Sequence, residues 1–165
     1  MENLLLNVAD MVLTASFINQ KQKLAELVPA FGFKVEGTLM TEILLAEVFV
    51  GQVVILDFIK KRNLEIQKVD YYVAEVYRLL VDKYNYFFHK EMLVLFETLM
   101  QSRYPEYYDV IKKGDTVARP ITDVISKNFN INNILFTSML VDKFTGIITT
   151  LSDFLGEVDK KFIIS

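Results

Sequence analysis

Cysteine is absent from this sequence. With it go disulfides, thiolate metal sites, iron–sulfur clusters and cysteine nucleophiles. Histidine occurs once, at His89, so the paired Glu-x-x-His arrangement of carboxylate di-metal bundles cannot be assembled. No glycine pattern of the nucleophile-elbow kind accompanies it, and nothing in its flanking residues selects haem. GxGxxG and the P-loop signature are both missing, which removes the usual nucleotide signals. No cofactor is expected and the chain is read as non-enzymatic.

Positive charge is also scarce: 18 Lys and Arg stand against 21 Asp and Glu, a net charge of −3. The densest cationic run, Lys60, Lys61 and Arg62, is soon followed by Glu65. Nucleic-acid binders need a cationic face to displace counterions from phosphates, so no nucleic-acid partner is expected. The opening MENLLLNVADMVL carries Glu2 and Asp10, and the first lysine is Lys21. A secretory signal wants a cationic start and an unbroken apolar run, so a cytoplasmic location is expected. The most apolar segment, residues 44–59, is interrupted by Glu47, Gln52 and Asp57, and no membrane span is expected.

What is present is apolar surface. Hydrophobic residues make up 52% of 165 positions, rich for one domain spanning 1–165. Some of that surface is expected to meet another chain. Only three prolines and six glycines punctuate the sequence, and between them the apolar spacing is helical. The fold class expected is all-α: a compact bundle of five to seven helices.

The first helix is placed at 3–28, where Leu4, Val8, Met11, Ala15 and Ile18 recur at steps of three and four. The polar run at 19–23 is a place for it to bend. A second helix, about 38–62 with Thr38 as N-cap, is apolar almost all round, which marks a central helix. The β-branched density of VFVGQVVI favours strand, but the segment is long and lacks turn signals. A third helical region runs from about 65 to 103 and ends at Pro105. A short helix at 106–113 follows, then one from Pro120 to about Phe129. The break NINN at 130–133 has N-cap character. A long amphipathic C-terminal helix, about 133–161, carries Leu140, Phe144, Ile147, Leu151, Phe154, Val158 and Phe162 on one stripe.

His89 falls on a polar helix face and reads as an exposed residue. Glu91 is the stranger one: on a continuous helix it would point into the apolar stripe between Phe87 and Leu95, where an unpaired carboxylate is costly. A break near His89, Lys90 and Glu91 resolves this, with a new, deeply buried helix from about 91 to 103 and Glu91 in its favourable first turn. Glu47 and Glu91 are the two carboxylates carried forward as buried polar candidates, Glu47 with Arg78 or Arg103 as partner. Glu42 and Glu47 point in different directions and make no acid/base pair.

Three tyrosines surround a proline in SRYPEYYD at 102–109. They either close a corner of the core, with their hydroxyls reaching water, or form a contact surface, since tyrosine gives large contact area at low entropic cost. The chain also ends in FIIS, whose apolar side chains favour burial by ~1.5–3 kcal/mol each, either folded back on the chain's own core or inside a partner. The candidate interface is therefore Tyr104, Tyr107 and Tyr108 together with Leu151, Phe154, Val158, Phe162, Ile163 and Ile164. The leading expectation is a helical protein acting through protein–protein contacts and associating with itself. The second is a sensor holding a small apolar ligand inside the bundle.

Overall fold

Seven α-helices carry the pattern in the computed structural model, which describes residues 2–17, 19–84 and 90–163. They are α1 Glu2–Ala15, α2 Lys21–Phe31, α3 Gly37–Lys61, α4 Val69–Asp82, α5 Lys90–Ile111, α6 Ala118–Asn128 and α7 Ile134–Ile163, with a 3-10 turn at Ile66–Lys68. No strand occurs among the described residues. The expected all-α bundle is what forms.

Helix α3 is its axis. It packs against α1, α4, α5, α6 and α7, and every residue from 41 to 50 is buried. Being ringed by helices is why its sequence lacks a polar face, and why VFVGQVVI is helical despite its β-branched content. Gly51 serves close approach. A Cβ there would overlap the Tyr72 hydroxyl and lie 2.9 Å from the Val12 side chain. That hydroxyl donates to the Val48 carbonyl of α3 at 2.9 Å, locking α4 onto it.

Several boundaries differ from expectation. The helix placed at 3–28 is two helices, because Ser16 and Phe17 leave α1 to bury themselves against α3. Thr38 is not the cap of α3: Glu36 stands at the cap with an extended backbone and no side-chain bond. Gly37 opens the helix with a φ of 57°, in the left-handed region that favours glycine. Pro105 does not end a helix but lies inside α5. Its missing N–H forfeits one bond to the Gln101 carbonyl, and Pro105 faces water, where that carbonyl can be solvated. The segment placed at 106–113 is the second half of α5.

Helix α4 ends at Asp82 and α5 begins at Lys90, which puts Glu91 in a first turn as expected; residues 85–89, over which the break near His89 was placed, lie outside the described residues. The expected depth is not found. Glu91 is exposed, Met92, Leu93 and Leu95 are half-buried, and Val94 is 60% exposed. Only Phe96 of this run is buried, because α5 lies outside α3 and presents one side to it.

Pro120 falls in the first turn of α6, where no intrahelical N–H is needed. Asn133 caps α7 as its position suggested: its Oδ1 accepts the Phe136 N–H at 2.9 Å, and its Nδ2 donates to the Phe31 carbonyl at 3.0 Å. The stripe of Leu140, Phe144, Ile147 and Leu151 is buried in the bundle.

Candidate functional site

Two carboxylates on α3 are fully buried, and their five-residue separation turns them to different neighbours. Glu42 faces α5. Arg103 Nε donates to both of its oxygens, at 2.8 and 2.9 Å, and the Tyr107 hydroxyl donates to Oε1 at 3.3 Å. Burial, and next the Glu42 charge, push the Tyr107 hydroxyl well above its ordinary value, so it stays a donor. Arg103, offered above as a partner for Glu47, thus belongs to Glu42. Arg78 forms pairs on its own helix, with Glu75 at 2.6 Å and Asp82 at 3.4 Å.

Glu47 faces the break between α1 and α2. The Ser16 hydroxyl donates to Oε2 and the Phe17 N–H to Oε1 at 3.2 Å. No cation pairs with it directly among the described residues, although the Lys143 charge acts on it from α7. Burial outweighs these stabilising partners and raises its carboxyl from 4.5 to about 7. Glu91, the other buried candidate, is exposed as described.

The raised Glu47 carboxyl carries a pH dependence. Between its ordinary value of 4.5 and about 7, the folded chain keeps a proton that the unfolded chain has lost. Stability from this group is therefore full below the lower value, falls as pH rises through the window, and is flat above it. The loss amounts to about 3 kcal/mol. Glu47→Gln retains the neutral shape and is expected to flatten that slope. Urea unfolding of both proteins across the window checks it; equal slopes would remove Glu47 as the source.

Lys143 completes this region. Its Nζ donates to the Ala15 carbonyl and to Gln20 Oε1, the latter at 2.9 Å, and lies 4.5 Å from the Phe17 ring centroid. Burial depresses its ammonium below the ordinary lysine value, and Glu47 opposes the shift. Beside it a cleft of about 220 Å³ opens between α1 and α7, with Val12, Ile147 and Leu151 as well as the polar Asp142 and Thr150 in its lining. The sequence singled out neither Lys143 nor Ser16. The available signal was position: Lys143 stands three residues after Leu140 and four before Ile147, at the edge of the buried stripe.

The tyrosine corner is core. Tyr107 is buried, Tyr104 and Tyr108 are half-buried, and all three rings surround Phe49 with centroids 4.8 to 5.2 Å away. Leu151 is buried as well, while Phe154 and Val158 are half-buried. These residues pack within the chain rather than forming one exposed surface, because the bundle itself uses the stripe of α7. The side chains of Phe162 and Ile163, and all of Ile164 and His89, lie outside the described residues. Among the described residues no three His, Asp or Glu side chains gather as a metal site would need. In comparisons with known proteins, no family model, curated protein or solved structure matches the chain.

Proposed function

We propose that the chain is a non-enzymatic interaction protein that pairs with a second copy of itself through the outward face of α7. The observation that carries this reading is the character of that face. Ile134 and Leu135 are 80% and 56% exposed, and they are followed outward by Ser138, Thr145, Thr149 and Ser152. A solvated helix face ordinarily carries charge throughout. Here Asp142 is the one charged residue classed as exposed between 134 and 152. Small neutral side chains allow two backbones to approach, and a two-fold pair would bring the same face to itself. The engagement of both buried carboxylates, Glu42 by Arg103 and Tyr107 and Glu47 by Ser16 and Phe17, supports a structural use for them.

Length and apolar composition would let two helices cross a membrane, Gly37–Lys61 and Ile134–Lys161. Of their apolar windows, 78% of the first is buried in the fold but only 28% of the second. The uncovered surface thus belongs to α7, and the experiment must separate protein from lipid. Sedimentation equilibrium of the full chain without detergent is expected to show a dimer. Ile134→Glu with Leu135→Glu is expected to give a monomer of unchanged helical content, since both positions are exposed. A monomeric wild type, or a variant that still dimerises, overturns the reading. Flotation of the wild type with phospholipid vesicles, lost in the variant, would assign the face to lipid and overturn it equally.

A further inference from the structure

We infer that the cleft between α1 and α7 is a binding site for a small apolar monocarboxylate, with the carboxylate on Lys143 and the apolar body against Val12, Ile147 and Leu151. Size sets the first limit. The cleft holds about 220 Å³, more than the ~150 Å³ that accepts benzene and less than the ~300 Å³ at the lower end of drug-sized pockets. One ring with a short acid tail fits that space.

Charge sets the second limit. An ammonium has three protons to donate, and Lys143 commits two, to Ala15 and Gln20. It forms no ion pair among the described residues; the nearby Glu47, whose carboxyl burial raises to about 7, acts on it more strongly than the like charge of Lys23. Asp142 also borders the cleft, but it is exposed, so water screens its charge. Because Lys143 donates to the Ala15 carbonyl, its ammonium marks the Ala15 end. Leu151, two turns further along α7, marks the other. The cleft is therefore cationic at one end and apolar at the other.

The third observation is Gly146, which lines the same cleft. Glycine inside a helix costs ~1 kcal/mol relative to alanine. Nothing local requires it here: its φ is not positive, and a Cβ would meet no atom within 4 Å. What the missing side chain does is leave the cleft open.

Calorimetric titration of the full chain with 3-phenylpropionate, and with its neutral amide, tests the site. The acid is expected to bind with a Kd of about 1 mM or tighter, and the amide at least about tenfold more weakly, as loss of a charge-assisted bond implies. Lys143→Met is expected to bring the acid down to the level of the amide. Gly146→Leu fills the cleft and is expected to abolish binding of both probes while melting no lower than the wild type. Absence of acid binding, equal affinity for acid and amide, or undiminished binding by Gly146→Leu would each overturn the proposal. The leucine variant decides the matter even where Lys143→Met fails to fold, and dimerisation is read separately by sedimentation.

Discussion

Arg103→Met is expected to destabilise the fold by about 3–5 kcal/mol, the range found when one partner of a buried ion pair is removed. The magnitude comes from what is left behind. Glu42 has no exposed surface, and without the guanidinium its carboxylate would keep only the long bond from Tyr107. Arg103 retains about a fifth of its side-chain surface, so water entering from that side places the loss toward the lower end. Urea unfolding at neutral pH measures it. The double variant Glu42→Gln with Arg103→Met removes the orphaned charge and is expected to recover more than half of the loss. If the single variant lost less than ~1 kcal/mol, the pair would not be buried as described.

Phe49→Ala is expected to cost a similar ~3–5 kcal/mol, for a different reason. Phe49 is fully buried on α3, and the rings of Tyr104, Tyr107 and Tyr108 close around it from α5. Truncation leaves a ring-sized cavity between the two helices. Rigid aromatic neighbours on a helix cannot collapse into it readily. Thermal and urea unfolding give the loss, and the near-ultraviolet circular dichroism of the tyrosines is expected to weaken with it. Tyr108→Phe, which keeps the ring and drops a half-buried hydroxyl, is the contrast and is expected to cost under ~1 kcal/mol. A small effect of Phe49→Ala would mean that the tyrosine corner does not pack on α3.

Both substitutions act on the same joint between α3 and α5, yet only part of that joint was legible in advance. The apolar girdle of residues 38–62 identified a central helix, and Tyr107 and its neighbours were recognisable as a corner. The sequence left open whether that corner closes the core or offers a contact surface, and it placed a helix end at Pro105. A proline interrupts a helix only when the lost bond and the ring's bulk cannot be accommodated. On the exposed side of α5 they are accommodated, and the tyrosines then continue one helix instead of decorating a loop.

The sequence by itself determined the class of fold, the course of α3, the capped break at 130–133 ahead of α7 and the lack of any cysteine. These depend on residue identity and on spacing within a few turns, which a chain carries wherever it is placed. Tertiary structure alone decided that Arg103 meets Glu42 across 61 residues, that Ser16 meets Glu47 across 31, and that Lys143 stands at a cleft against Ala15 across 128. The physical reason is that a helix presents side chains in every direction at 100° intervals. Spacing tells which residues share a face, but only the crossing of two helices brings one face to another, and several crossings bury the same apolar area almost equally well.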